Sequence, residues 1–276
     1  MKPLKPNEFI RGLKNILQGN IKLPKALQSN EVLRVLLQRR TVRKFADREV
    51  PGTVMTAVIE AARLAPSTVN LQTWSFGLFD RESWERKFGK KIPFGGSRAV
   101  IICADMHRIH ASTDILPHKP LVEYTLSVMN AGIASYAMNI AAEACGVSSV
   151  MLSETGQGGF YDAEYLQEKL KLPGGVYPLM TIIFGYAKKA PLGMPPKLPV
   201  DQITFTDTYQ EPDPAVMESW LEQMSAGYRA TMITQSFRGQ IKRYLSKLEQ
   251  AERGLHKIVF YREEGPVDGD ENRQRG

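Results

Sequence analysis

The sequence predicts a mixed fold in which helices alternate with strands, of either the α/β or the α+β class. Segments whose apolar residues recur at helical spacing are separated by short apolar runs, and such runs are typical of buried strands. Helices are expected after caps at Asn30 and Thr53 and over residues 121–145 and 162–170, and strands over 74–79, 99–104, 147–152 and 179–187. A chain of 276 residues can bury a sizeable core with these elements.

The helix boundaries follow from residues that favour helix ends. Asn30 is a good N-cap because its side chain can accept a hydrogen bond from the first turn, where Glu31 also suits the helix dipole. The side chains expected to face inward are those of Val32, Leu33, Leu36 and Leu37. Thr53 is expected to cap the next helix and Pro66 to end it. Residues 105–120 are expected to form a polar loop.

The segment 121–145 is expected to be one long helix. It is apolar on most faces and rich in alanine, serine and glycine, as at Ala131 and Gly132. Small side chains on an apolar helix predict that it is buried and closely approached by another helix.

The composition is that of a soluble globular protein, with 43% hydrophobic and 24% charged residues. The net charge of +7 favours anionic ligands or surfaces without naming one. No apolar run reaches the ~18 residues needed to cross a bilayer, and the basic N-terminus lacks a continuous signal core. Cys103 and Cys145 each lie in an apolar run and are interpreted as reduced core thiols. We expect a cytoplasmic protein.

Two short segments carry the functional signal. The first is Arg-Arg-Thr-Val-Arg-Lys-Phe at residues 39–45. Its guanidinium groups and hydroxyl suit a phosphate monoester, because arginine presents its donors in a rigid fork. Basic residues at the end of a helix also suit the helix dipole, so charge alone favours a purely structural interpretation.

The second segment is Ala-Pro-Ser-Thr-Val-Asn-Leu-Gln-Thr-Trp at residues 65–74. It places the hydroxyl of Ser67 and the amides of Asn70 and Gln72 in a short turn between a helix and a strand. Primary amides can match both the donors and the acceptors along the edge of a planar ring. The same residue types are also common turn formers.

Together the two segments resemble the motifs of the FMN-dependent nitroreductase family, Arg-x-Ser/Thr-x-Arg/Lys and Ala-Pro-Ser-x-x-Asn-x-Gln-Pro-Trp. The resemblance implies an α+β fold with a mostly antiparallel central sheet flanked by helices, in an intertwined homodimer. It implies an FMN-binding domain over residues 29–200, preceded by a basic arm at 1–28 and followed by a helical extension at 201–262 that wraps the dimer. Residues 263–276 are expected to be a disordered tail. Thr73 departs from the family, which usually has Pro there.

The resemblance also implies which residues hold the phosphate of FMN. Arg39 and Thr41 would bind the ribityl phosphate end, with Arg40 as a neighbour. Lys197 would complete the phosphate clamp as a point charge.

The flavin ring would be held by the other residues that match the family. Arg43 would lie near N1 and the C2 carbonyl, where a cation stabilises the negative charge of the reduced ring. The ring edge would be met by Ser67, Asn70 and Gln72. Gly158 and Gly159 would add backbone contacts from a loop that does not fit a dinucleotide-binding fingerprint, because Tyr161 stands where its third glycine belongs.

The implied activity is a ping-pong oxidoreductase. NADH or NADPH would reduce the flavin at N5, and a flat, electron-poor acceptor such as a nitroaromatic or a quinone would then take the electrons. No catalytic side chain is required, since the flavin carries the chemistry. The alternatives are a flavin-binding sensor or sequestering protein without turnover, a reductive dehalogenase of an aromatic, and a module that binds nucleic acid or membranes through its basic termini. We expect neither nucleic acid nor membrane as a partner.

Three of the four histidines, His107, His110 and His118, lie in the predicted loop 105–120. They lack the helical spacing or neighbouring cysteine that a typical zinc site has. They are interpreted as solvent-facing or substrate-channel residues, and no metal is expected.

Overall fold

The computed structural model describes residues 24–113, 118–153, 162–189, 193–231 and 236–262, together with residues 7, 10 and 14. The chain divides into two compact units. The sheet unit comprises Thr41–Lys189 and Lys247–Gly276, and the helical unit comprises Met1–Arg40 and Ala190–Ser246. Most of the predicted arm 1–28 and the tail 263–276 lie outside the described residues. The domain boundaries drawn from the sequence stay predictions.

Helices and strands alternate along the sheet unit, as the apolar pattern predicts. The α-helices whose bounds lie in the described residues are α1 (Glu31–Gln38), α2 (Gly52–Arg63), α3 (Arg81–Phe88), α4 (His107–Ser112), α5 (Pro120–Ala144), α6 (Ala163–Leu170), α7 (Pro214–Thr231), α8 (Phe237–Leu245) and α9 (Leu248–Val259). The strands are β1 (Trp74–Asp80), β2 (Arg98–Asp105), β3 (Ser148–Leu152) and β4 (Val176–Gly185). The four predicted strands are confirmed, and β4 begins three residues earlier than expected.

The strands form one sheet in the order β1-β2-β4-β3, with each neighbouring pair antiparallel. The α+β class with an antiparallel sheet is therefore confirmed. Seven of the eight residues of β2 are buried, because the strand is central and covered on both faces. The strands β1 and β3 lie at opposite edges of the sheet.

The long helix predicted over 121–145 is confirmed as α5, and it packs against α2 and the sheet. Ala131, Ala134 and Ala142 of α5 are buried in the main core together with Val58 and Ala62 of α2. Side chains of this size let two helix backbones approach closely, which is what the small-residue pattern predicts. Among the described residues, no helix is both long and apolar enough to span a bilayer.

Two details of the helix boundaries differ from expectation. Asn30 caps α1 as predicted, accepting a hydrogen bond from the backbone N–H of Leu33 at 3.0 Å. Val32 is exposed rather than inward, because α1 buries none of its residues completely and leaves the edge of its apolar face in solvent. Thr53 does not cap α2. The cap is Pro51, whose ring fixes the extended entry to the helix, so that Thr53 lies inside the first turn.

The predicted polar loop at 105–120 contains the short helix α4. Asp105 starts it by accepting a hydrogen bond from the backbone of Arg108 and pairing with its guanidinium, with 3.0 Å between Nε and Oδ2. The cysteine interpretation is half right: Cys103 is buried in β2, whereas Cys145 is exposed. Cys145 is the C-cap residue of α5, where the chain leaves the core.

Candidate functional site

The turn between α2 and β1 has an unusual backbone. Val69, Asn70 and Gln72 have positive φ angles of 50°, 57° and 50°. Left-handed backbone costs a residue with a side chain about 1 kcal/mol or more, and a β-branched valine there is an outlier. Such strain persists only where the surroundings hold it in place, and it is concentrated at functional sites.

Hydrogen bonds within the turn and from α5 hold this backbone in place. Within the turn, the backbone N–H of Gln72 donates to Oγ of Ser67 at 3.0 Å. From α5, the buried Asn130 accepts a hydrogen bond from the backbone N–H of Thr68 at 3.1 Å and donates to Oγ1 of Thr73 at 2.9 Å. The turn is therefore fixed at both ends to the buried side chain of Asn130 on α5.

The turn presents its amide side chains outward. Asn70 and Gln72 are exposed and Ser67 is half-buried. The contact from Nε2 of Gln72 to the carbonyl of Asn70 is long, at 3.4 Å. No hydrogen bond joins the Asn70 side chain to any other residue that the structure describes. Both amides are therefore available to a ligand.

The basic segment at 41–45 is attached to the edge strand β3. Thr41 forms a parallel bridge with Ser149, and the backbone N–H of Val42 donates to the Ser149 carbonyl at 3.1 Å. Val42 and Phe45 are buried, so the segment turns Thr41 and Arg43 outward. Within the described part of the chain, no carboxylate pairs with Arg43. An exposed, unpaired guanidinium suits an anionic or polar ligand.

The remaining predicted phosphate residues lie in the helical unit. Arg39 is the C-cap of α1, and Arg40 donates from Nη1 to the carbonyls of Leu37 at 2.7 Å and Arg39 at 2.9 Å. The guanidinium of Arg40 thus satisfies carbonyls at the end of its own helix. Lys197 is exposed in the segment before the 3-10 turn Val200–Gln202. The roles of these residues in a phosphate site stay predictions.

Gly158 and Gly159, the predicted backbone contacts to the ring, lie outside the described residues.

Within the sheet unit, the turn at 65–74 and the basic residues at 41–45 do not meet. The turn precedes Trp74, which is level with Ala104 and Tyr177 at one end of the sheet. The basic segment is level with Ser149 and Phe184, seven residues further along β4, or about 23 Å at 3.3 Å per residue. They also flank opposite edges of the sheet. A single sheet unit therefore cannot bring the turn and the basic residues to the same ligand.

Two buried asparagines of α5 were missed by the sequence interpretation. Asn130 holds the turn, and the side-chain amide of Asn139 donates to Oγ of Ser149, beside Thr41. Both are buried, and they stand nine residues apart on the same helix. The available signal was the presence of asparagines in an otherwise apolar helix, since buried amides need partners.

Of the two interpretations of the loop histidines, the solvent-facing one is wrong for His110 and His118, and the substrate-channel one stays a prediction. Nε2 of His110 and Nδ1 of His118 lie 2.9 Å and 3.1 Å from the same carboxylate oxygen, Oε2 of Glu123. Although burial raises the pKa of Glu123, hydrogen bonds from His110 and from the Lys119 backbone lower it below its ordinary value overall. The two histidines point inward because they contact Glu123. In the sequence, the indication of this contact was a glutamate in the first turn of an apolar helix.

Comparison with known proteins identifies a family and agrees with the fold. The model of the Nitroreductase family matches residues 36–186, which is more than half of the chain and includes both segments. The chain belongs to the Nitroreductase family.

Individual relatives are similar at a lower level. The chain is 29% identical to the FMN reductase [NAD(P)H] of Bacillus subtilis, over 71% of this chain and 82% of that protein. It is 27% identical to the oxygen-insensitive NADPH nitroreductase of Salmonella typhimurium, with the same coverage of both chains, 71% and 82%. The crystal structure of nitroreductase A from Vibrio parahaemolyticus superposes with a TM-score of 0.69 at 18% identity, covering 83% of this chain and 98% of that one. The last comparison supports the fold alone.

Proposed function

We propose that this protein is an FMN-dependent oxidoreductase that takes electrons from NADH or NADPH and passes them to a flat, electron-poor acceptor such as a nitroaromatic or a quinone. The observation that carries the proposal is the strained turn with its two available amides, within the region that matches the Nitroreductase family. Relatives named as NAD(P)H-dependent FMN reductase and NADPH nitroreductase support the same class of reaction.

The residues present fit FMN by the chemistry of their donors. Asn70 and Gln72 offer both donors and acceptors to the polar edge of the ring, and the half-buried Ser67 adds a hydroxyl. Arg43 would lie near N1 and the C2 carbonyl, where its charge favours the reduced ring. Thr41 with Arg39, Arg40 and Lys197 would hold the phosphate, and Gly158 and Gly159 would approach the ring through their backbone.

Bound FMN supplies redox chemistry at ring atom N5, which is what a ping-pong exchange between a nicotinamide and an acceptor requires. The side chains of this chain bind, orient and tune the ring.

We further propose a homodimer in which each flavin site joins the turn of one chain to the basic segment of the other. Within one chain these segments lie at opposite ends and edges of the sheet. The helix α5 also carries an exposed apolar stripe at helical spacing, formed by Val122, Met129, Ile133 and Tyr136. A row of exposed apolar side chains along one face of a helix is typical of an interface.

An absorbance spectrum of the purified protein, followed by anaerobic addition of NADH and of NADPH, tests the activity. We expect a yellow protein that either nicotinamide bleaches and that a nitroaromatic or quinone then restores. A yellow protein that neither nicotinamide bleaches would instead be a flavin-binding protein without turnover. Colourless protein that takes up no added FMN would contradict the proposal.

A further inference from the structure

A second cluster of polar side chains lies at the start of α5, in the sheet unit. It is formed by His110 of α4, His118 in the segment before α5, and Glu123 in the first turn of α5. The three possible donor atoms lie within 4.8 Å of one another. Their side chains are only 9%, 16% and 7% exposed, respectively. Three donors on three different elements thus converge in a site that is largely closed to solvent.

The cluster contains a buried carboxyl group, that of Glu123. Glu123 is an ionisable group with almost no access to water, and burying such a charge is costly unless a positive charge neutralises it. Among the described residues, no lysine or arginine side chain pairs with Glu123. The contact with Lys119 is made by its backbone N–H, which donates to Oε1 at 2.7 Å. Among the described residues, the partners of the other oxygen, Oε2, are the imidazoles of His110 and His118.

The geometry suits a small cation. Zinc binds histidine nitrogen and carboxylate oxygen at about 2.0–2.1 Å, so that two ligands of a tetrahedral site stand about 3.3 Å apart. The observed separations from Oε2 of Glu123, 2.9 Å to His110 and 3.1 Å to His118, are only a few tenths of an ångström shorter. Small rotations of the side chains would open this space. The backbone N–H on Oε1 already orients the carboxylate, as outer partners of metal ligands do.

We propose that His110, His118 and Glu123 bind one divalent transition-metal ion of the zinc class, with a fourth position left for water. Two imidazoles and a carboxylate favour Zn²⁺ over Mg²⁺ and Ca²⁺, which prefer all-oxygen sites. The ion would balance the charge of Glu123. It would also cross-link α4, the segment before α5 and α5 itself, so its main effect would be to stabilise this part of the fold. The proposal is independent of the flavin site.

Calorimetric titration of the full-length, metal-stripped protein with zinc chloride tests the proposal. We expect one zinc ion bound per chain and no binding of Mg²⁺. His110→Ala, His118→Ala and Glu123→Gln should each weaken zinc binding by at least about 10–100-fold, the loss that even outer partners of a metal cause. Cys145→Ser and His256→Gln are the controls. They remove the exposed thiol and an exposed imidazole elsewhere, and they should leave binding unchanged.

The melting temperature gives a second readout. Zinc should raise the melting temperature of the wild type, because a ligand that binds only the folded state stabilises that state. Zinc should not raise the melting temperature of Glu123→Gln, whose side chain has nearly the same shape as that of the wild type. Failure of the wild type to take up stoichiometric zinc would overturn the proposal without any variant. Zinc binding that survives in both His118→Ala and Glu123→Gln, or that is lost in Cys145→Ser, would overturn it as well.

Discussion

The side-chain amide of Asn130 donates a hydrogen bond to Oγ1 of Thr73, with 2.9 Å between the two atoms. The carbonyl oxygen of the same amide accepts from the backbone N–H of Thr68. One buried side chain of α5 therefore fixes both ends of the strained turn. At position 73 this chain relies on a hydrogen bond where the family usually relies on a proline ring.

We expect Asn130→Ala to destabilise the protein by about 2–3 kcal/mol, because it leaves two partly buried polar groups without their partner. It should also weaken FMN binding, since the turn loses its attachment. Urea unfolding and a flavin titration measure the two effects. Thr125→Ala is the control, because it removes an exposed polar side chain from the same helix and should retain most of the stability. Equal stability and flavin affinity in wild type and Asn130→Ala would contradict the role of this residue.

Arg43→Ala should lower the midpoint potential of the bound flavin. In free energy, this shift should exceed the loss of binding of oxidised FMN. A positive charge near the reduced ring stabilises it, so its loss makes reduction harder. A change of ~1.4 kcal/mol corresponds to about 30 mV for a two-electron couple, and we expect a shift of this order. Potentiometric titration measures it. Lys44→Ala removes a neighbouring exposed charge and should shift the potential less. Identical potentials in all three proteins would remove Arg43 from the ring site.

The strands could be predicted because burial leaves a direct mark on the sequence. The run 99–104 is apolar throughout since β2 is covered on both faces. The two flavin segments were recognisable because each is continuous in the chain. The distance between the two segments in the fold could not be predicted from the sequence. It depends on the strand order β1-β2-β4-β3, which places β1 and β3 at opposite edges of the sheet.

Contacts between distant residues were hidden for the same reason. Spacing along the chain did not indicate that His110 meets Glu123, thirteen residues later, because the path between them runs from one helix into another. The residues next to Cys145 in the sequence are apolar, which suggested burial. Cys145 is exposed because α5 leaves the core at this residue. Local pattern indicates that a segment is apolar, but only packing decides which side chains are covered.

Arg39→Ala should weaken FMN binding by about 10–100-fold, the loss expected for a hydrogen bond to a charged group. Arg40 is the comparison, because its guanidinium donates to the carbonyls of Leu37 and Arg39. Arg40→Ala should therefore reduce affinity less and destabilise the end of α1 more. Flavin titration and thermal unfolding separate the two effects. Unchanged affinity in Arg39→Ala would exclude that residue from the phosphate site.

The two cysteines should react very differently with a thiol reagent. Burial raises the pKa of the Cys103 thiol to about 12, and the charge of Asp105 acts in the same direction. The reactive thiolate is therefore scarce at neutral pH, and the side chain is inaccessible. In the folded protein the reagent should modify Cys145 alone, and Cys145→Ser should not react. Both thiols should react in urea. Fast labelling of folded Cys145→Ser would contradict the buried position of Cys103.

Ile133→Asp should separate the proposed homodimer into monomers. Ile133 lies in the middle of the exposed apolar stripe of α5, and an unpaired carboxylate buried in an interface costs several kcal/mol. A cost of ~2.7 kcal/mol raises the dissociation constant about 100-fold. Sedimentation at micromolar concentration measures the change. The control is Leu78→Asp, which places the same charge at an exposed apolar position on the edge strand β1 and should remain dimeric.

The flavin content of the same variant tests whether each site needs both chains. Because the turn and the basic segment lie at opposite ends of one sheet, a monomer should lose most of its FMN affinity, whereas folded Leu78→Asp should keep it. A wild-type protein that sediments as a monomer would remove the dimer. A folded Ile133→Asp monomer that binds FMN as tightly as wild type would show instead that one chain completes the site, and the pairing of segments from two chains would be wrong.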